Sequence, residues 1–225
     1  MKYSKAAFWI FSILLYSLLG CENQNKNMDT IETTNIKNME WSITNLKTLT
    51  YRNGDSISDS DIYILRDPNT LEILEVFYNF YAIDDVRGLA MHGFHIPEER
   101  EWDLLKEKLG DGAVKKLKSK QGWKESETGG NGTDNYGMNI YPIGFARADD
   151  EGHNKIYENI NAYFWTSTFK EPPSYAGGQR LNALMVFDSN LDYFYDDYAH
   201  PRPAYYYDDY AYPTYYFSVR LIKDY

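Results

Sequence analysis

Cysteine is almost absent from this chain: among 225 residues Cys21 stands alone. A single thiol excludes an intramolecular disulfide and any zinc site built on clustered cysteines. Histidine is scarce as well. His92, His95, His153 and His200 are the full set, and no two of them fall at metal-ligand spacing on a clear helix. The chain has no Gly-x-Ser-x-Gly, no His-Glu-x-x-His and no phosphate-cradling glycine loop, so the usual marks of several enzyme classes are missing. Basic residues are outnumbered, 23 against 33 acidic ones, for a net charge of −10. That balance argues against nucleic acid or an anionic surface as the main partner. Only one long apolar run occurs, Ala6–Leu19, interrupted by Ser12 and Ser17. It is shorter than the roughly 20 residues that a membrane-spanning helix needs.

The flanks of that run give it a meaning. Lys2 and Lys5 precede it without a neighbouring acid, and Leu18-Leu19-Gly20-Cys21 closes it. A basic leader, a short apolar core and a small residue before the cut are the parts of a secretory signal. The closing four residues resemble the lipobox of bacterial lipoproteins, in which the cysteine is acylated and becomes the mature N-terminus. Leu19 is bulkier than the usual residue at its position. The resemblance implies a signal peptide over residues 1–20 and lipid attachment at Cys21, with palmitate among the acyl chains. The expected location is the bacterial cell envelope, lipid-anchored at the outer membrane. Each buried methylene would contribute about 0.8 kcal/mol to anchoring. Loss of Lys2 and Lys5 would leave the mature chain more acidic still. Residues 21–38 are Asn/Thr/Lys-rich without apolar periodicity and are expected to form a flexible tether, spanning roughly 20–25 Å as a coil.

Residues 39–225 are enough for one domain with a real core. Aromatic residues make up 17% of the chain, yet mean hydropathy is −0.60, so many rings must lie at or near the surface. Trp41–Leu46 alternates apolar and polar, as a half-buried strand does. Arg52-Asn53-Gly54-Asp55 carries a turn signal. Leu71–Ala82, with Phe80 and Tyr81, is rich in β-type residues. Pro97–Gly110 changes period: Trp102, Leu105 and Leu109 share one helical face, Pro97 suits a first turn and Gly110 a terminator. A shorter helix over Asp111–Ser119 would bury Ala113, Val114 and Leu117. Ala162–Thr168, Leu181–Asp188 and Tyr216–Ile222 read as strands separated by glycine-rich loops. Early helices followed by short strands indicate an α+β domain.

The order of motifs adds a resemblance. Arg87-Gly88-Leu89-Ala90-Met91-His92-Gly93-Phe94-His95-Ile96-Pro97 is followed by Glu101-Trp102, Gly122-Trp123, Pro142-Ile143-Gly144-Phe145, Phe164-Trp165-Thr166-Ser167-Thr168 and Ser218-Val219-Arg220. From about Trp41 to Ile222 this resembles the Fibrobacter succinogenes major paralogous domain of secreted bacterial proteins and lipoproteins. The resemblance implies a C-type lectin-like fold, shared with formylglycine-generating enzymes: one or two early helices, short twisted antiparallel strands with the terminal ones paired, and long irregular loops. Ala90 and Leu221 stand where relatives commonly carry cysteine, so a disulfide some relatives use is absent. Formylglycine generation would need reactive cysteines, which the body lacks. Calcium-dependent sugar binding would need an oxygen-rich loop and strand. Glu171-Pro172-Pro173 and Trp165-Thr166-Ser167 do not supply the required donors.

Most motifs have a structural reading. Gly93 permits a turn, Phe94 and Ile96 point inward, and His95 is a hydrogen-bonded packing histidine. One feature is left over. Tyr195-Asp196-Asp197-Tyr198-Ala199 returns 12 residues later as Tyr207-Asp208-Asp209-Tyr210-Ala211. It is either a long hairpin whose arms pack ring on ring or a contact surface, since tyrosines give contact area at low entropy cost. The expected function is therefore a membrane-anchored, non-catalytic recognition module. Its partners would be the membrane through Cys21 and a glycan or cell-surface protein through these eight Tyr and Asp residues; no metal, cofactor or nucleic acid is expected. Two rivals are an envelope or fimbria-like structural component and an enzyme built on Asp84, Asp85 and His92, which would require a raised carboxylate pKa in a deep pocket.

Overall fold

The computed structural model describes residues 31–125, 129–148, 154–156, 160–170, 181–188, 194–199 and 214–225. The chain divides into a unit of residues 1–31 and a unit of residues 32–225, the second of which carries the described strands and helices. It opens inside the stretch expected to be a tether. Strand β1 (Thr33–Ile36) pairs antiparallel with β2 (Met39–Ser42). The two residues between them, Lys37 and Asn38, both have positive φ, 56° and 69°, as a type I′ hairpin requires. Asn38 tolerates that conformation, and its N–H donates to Asn35 Oδ1 at 3.2 Å. Ile36 is fully buried. The folded body therefore starts by Thr33 rather than at residue 39.

Strand β3 (Ile62–Arg66) pairs with β4 (Ile73–Tyr78). The β-type run does not continue through Phe80 and Tyr81. Asn79 ends it by accepting a hydrogen bond from Ala82 N–H at 3.1 Å, which caps the short helix α1 (Phe80–Ile83). Beyond it come β5 (Phe94–His95) and helix α2 (Glu99–Leu109). The helix buries Trp102, Leu105 and Leu109, the stripe that the spacing predicts. Pro97 lies before the cap instead of in the first turn. Its carbonyl accepts Ser167 N–H at 3.0 Å, while Thr168 Oγ1 accepts Glu99 N–H at 2.8 Å. A strand distant in sequence thus reinforces the capping box that Glu98 and Glu101 form at the start of the helix. Gly110, at φ 62°, terminates α2 and returns its N–H to Lys106 O and Glu107 O. Helix α3 (Ala113–Leu117) buries Ala113, Val114 and Leu117, as expected.

The rest is strand. β6 (Ala146–Ala148) lies between β7 (Asn154–Ile156) and β11 (Thr214–Tyr216). β9 (Leu181–Asp188) lies between β8 (Asn161–Lys170) and β10 (Phe194–Ala199). β12 (Ile222–Lys223) fits between β2 and β5, so Ile222 faces Trp41 on one side and His95 on the other. The final strand expected over Tyr216–Ile222 is broken because the chain changes partners along it. Tyr216 pairs with Ala146, Phe217 bridges to Tyr78, Ser218 to Phe164, and Ile222 to Trp41. The architecture is mixed α+β, with small antiparallel sheets dominating. The main core gathers Trp41, Trp102, Phe164, Met185 and Phe187 between α2 and the β8–β9 sheet.

Close packing extends to the loop ahead of Ile140. A Cβ added at Gly132 would clash with the Lys118 carbonyl oxygen, and Gly132 N–H donates to Ser119 O at 2.7 Å. Backbone cannot swing aside as a side-chain tip can. Gly132→Ala is expected to cost about 1–3 kcal/mol, read as a lower denaturant midpoint at unchanged slope.

Candidate functional site

The first copy of the Tyr/Asp repeat forms β10. Antiparallel pairing sets Tyr195 opposite Val186, Asp196 opposite Met185, Asp197 opposite Leu184 and Tyr198 opposite Ala183. Met185, Val186 and Phe187 of β9 are buried, while among the described residues β10 closes one end of the sheet order β10-β9-β8. Among the described residues the first copy therefore finds its partner in β9. The physical reason is local: residues 189–193 make a short connection to a preceding β-type strand, and short closures cost little entropy. Tyr207, Asp208, Asp209 and Tyr210 lie outside the described residues, as do Cys21 and Glu171-Pro172-Pro173.

The C-terminal end of the tyrosine-rich stretch is firmly packed. Tyr216 is buried against Phe77 and Ala146, and its hydroxyl donates to Ser60 O at 3.1 Å. Tyr215, half-buried, stacks parallel on Phe217 at 6.1 Å and lies 5.7 Å from Phe145. Two tyrosines of the aromatic stretch thus serve the core or its edge.

The residues of the enzyme rival are arranged differently. Asp84 and His92 are exposed and Asp85 is half-buried. Arg87 grips Asp85 with two hydrogen bonds, Nε to Oδ1 at 2.9 Å and Nη2 to Oδ2 at 2.8 Å, and its guanidinium lies 3.9 Å over the Tyr51 ring. These contacts hold the Asp85 carboxyl down at about 2, the wrong direction for a base poised near neutrality. The corner ties the 84–90 loop to the Asn53-Gly54 turn, where Arg87 also reaches Asp55 at 3.3 Å.

The most perturbed carboxyl is one the sequence reading passed over. Glu75, on β4, is 4% exposed. Desolvation lifts its pKa to about 7, against the pull of Asn45, Lys47, Ser218 and Arg220. Its Oε1 accepts Asn45 Nδ2–H at 3.0 Å and Ser218 Oγ–H at 3.2 Å. Asn45 relays onward, its Oδ1 accepting Arg220 Nε–H at 2.6 Å, while Arg220 Nη1 donates to Ser42 O at 2.8 Å. Burial also lowers Arg220, to about 10, which leaves it charged at neutral pH. The one available signal was a lone acid inside Ile73–Tyr78 and a lone base between Val219 and Leu221, each flanked by apolar residues. A buried charge of that kind implies an internal partner.

His95 is hydrogen-bonded on both sides, as expected of a packing histidine. Nδ1 lies 2.7 Å from Asp224 Oδ1, and Nε2 lies 3.0 and 3.2 Å from the two oxygens of Glu101. Burial opposes the charged ring, but the two carboxylates outweigh it and raise the pKa. Glu101 also accepts Glu98 N–H at 2.9 Å, so one side chain serves helix α2 and the imidazole together. Among the described residues no group of three or more His, Cys, Asp or Glu is placed to hold a metal ion, and no helix is long and apolar enough to cross a membrane.

The described residues thus form a small-sheet α+β body with a buried polar relay at Glu75, Asn45 and Arg220 and a half-exposed cluster at His95, Glu101 and Asp224. Comparison with known protein families matches residues 34–223 to the Fibrobacter succinogenes major domain. The chain belongs to that family, and the match begins within β1. No curated protein and no solved structure matches the chain.

Proposed function

We propose that this protein is a lipid-anchored lipoprotein of the bacterial cell envelope, held at the outer membrane through acylated Cys21, and that its C-type lectin-like domain is a non-catalytic recognition module for a glycan or a cell-surface protein. The observation that carries the reading is the position of Tyr195, Asp196, Asp197 and Tyr198 on β10, at one end of its sheet among the described residues. The repeat in Tyr207, Asp208, Asp209 and Tyr210 doubles the same chemistry. Tyrosine offers rigid amphipathic area, and aspartate accepts hydrogen bonds from hydroxyl or amine donors. The strongly shifted carboxyls support a non-catalytic role. Asp85 is ionised and gripped by Arg87, and Glu75 is shut inside the body with its own partners.

The test is a glycan array together with pull-down from envelope extract, using the full mature chain. Retention of a defined glycan or protein is expected. Absence of binding combined with turnover of any substrate would overturn the reading. Self-association through the same segment would instead favour the envelope-component rival, since a strand at the end of a sheet can template another chain.

A further inference from the structure

The net charge of −10 hides a local reversal. Of the 23 basic residues, seven are lysines within residues 106–124, a stretch whose only acids are Glu107 and Asp111. Lys118 is the internal member, buried with its ammonium 4.2 Å over the Trp123 ring. Lys108, Lys115, Lys120 and Lys124 are exposed. Packing joins three elements at this corner. Lys108 Nζ on α2 donates to Lys37 O at 3.1 Å, which brings the exposed Lys37 of the β1–β2 turn beside the end of the helix. Lys116 Nζ on α3 donates to Leu109 O at 2.8 Å and to Asp111 O at 2.9 Å. Trp123 shares the main core with Leu109, Val114 and Leu117, so the stretch bearing Lys120 and Lys124 is fixed against the same helices.

Lysines in a last helical turn complement the helix dipole, and Lys116 is used in that way. Helix ends do not account for Lys37, in a strand turn, or for Lys120 and Lys124, beyond α3. Gathered like charges repel one another unless an anion lies close by. The kind of base also carries information. Arginine forks match a shaped carboxylate or phosphate site, whereas lysine is a compact point charge on a flexible stem. No arginine occurs between Arg100 and Arg147, so the corner suits an extended anionic surface better than a single bound anion. Covalent reach says which surface is near. Residues 21–33 span at most about 40 Å when fully extended. Lys37 follows Thr33 by one short strand, about 13 Å.

We propose that the lysine corner made by the β1–β2 turn, the end of α2 and α3 docks on anionic lipid headgroups of the membrane that holds Cys21. The docking rests on the anchored reading given above and adds to it which face of the body lies against the bilayer. Outside this corner acids outnumber bases, and the same headgroups repel them. Attraction at one corner and repulsion elsewhere therefore orient the body, while the lipid supplies the attachment. A strongly acidic chain can thus meet an anionic membrane through one defined patch.

Acetylation footprinting of lysines on the full mature, acylated chain tests the docking. The chain is placed in vesicles of phosphatidylcholine alone or with about one-third phosphatidylglycerol. Rates at Lys37, Lys108, Lys115 and Lys120 are read by mass spectrometry against Lys47, which is exposed in the loop after β2. On the anionic vesicles in low salt the four are expected to slow about fivefold relative to Lys47, the attraction of one lysine to such a surface. In about 0.5 M salt, where the screening length falls to about 4 Å, the difference should vanish, and on neutral vesicles it should not arise. Lys115→Gln with Lys120→Gln should reduce the slowing at Lys37 and Lys108, which the double variant leaves in place. Loss of the anchor shows separately: a chain that floats with neither vesicle is not lipid-attached, and the docking falls with that reading. A chain that floats while its corner lysines react as fast as Lys47 overturns the docking alone. Slowing on neutral vesicles that grows with protein density would assign the corner to the acidic surface of a second copy, and that too overturns it.

Discussion

Replacing Trp102 with alanine is expected to lower stability by about 3–5 kcal/mol. Trp102 is fully buried and sits where the helix meets both halves of the core. Its ring lies 4.5 Å from Trp41, 5.6 Å from Phe164 and 5.9 Å from Phe187. Those neighbours come from β2, β8 and β9, so the cavity would open where three separate elements converge. None of them can collapse inward without giving up its own strand pairing. A lost transfer term and an unrelaxed cavity therefore add. The check is a denaturant titration followed by near-ultraviolet dichroism, with a lower midpoint and an unchanged slope. Trp102→Phe should recover part of the loss, because a smaller ring still fills some of the space.

Arg220→Met is expected to cost about 3–5 kcal/mol at pH 8 and less at pH 5. Methionine fills a similar length without charge, so the loss is mainly electrostatic and not one of volume. Two bonds disappear at any pH, those to Asn45 Oδ1 and Ser42 O. What varies with pH is Glu75. Its folded pKa of about 7 already includes the attraction of Arg220, and without that attraction it moves higher. At pH 5 the carboxyl is protonated in the fold with or without Arg220, and little changes. At pH 8 the variant must bury a carboxylate left with Asn45, Lys47 and Ser218 but one positive charge fewer, or hold a proton that the unfolded chain has released. Thermal unfolding at the two pH values measures the difference. An equal loss at both would show that Glu75 does not feel Arg220.

Much of this was legible in the sequence, for identifiable reasons. The face of Trp102, Leu105 and Leu109 follows from helical spacing, and the burial of Ala113, Val114 and Leu117 from the same logic. Strands β8 and β9 follow from β-type composition between glycine-rich loops. The order of motifs around Gly93-Phe94-His95-Ile96-Pro97 gave the family. Other features depend on partners far along the chain. Asn45, Glu75 and Arg220 form one relay across three distant positions, and no local pattern joins them. The hairpin at Lys37-Asn38 lies in a stretch of tether-like composition, and only pairing with Met39–Ser42 makes it structural. Phe80 and Tyr81 prefer strand, but the Asn79 side chain turns the chain into a helix before that preference acts. The repeat of tyrosine and aspartate was visible at once, whereas the pairing of its first copy with β9 was not. Register depends on which neighbour supplies the edge, and a duplicated stretch offers more than one choice.

The central claim is that the tyrosine and aspartate repeat is a contact surface on a non-catalytic scaffold. Its most direct test compares the full mature chain with a variant carrying serine at Tyr195, Tyr198, Tyr207 and Tyr210. Both would be assayed on the same glycan array and in the same envelope pull-down, after unfolding curves show that the variant is folded. The account predicts that the parent retains a glycan or a surface protein and that the variant loses at least tenfold in affinity, about 1.4 kcal/mol. Undiminished retention by a folded variant would contradict it.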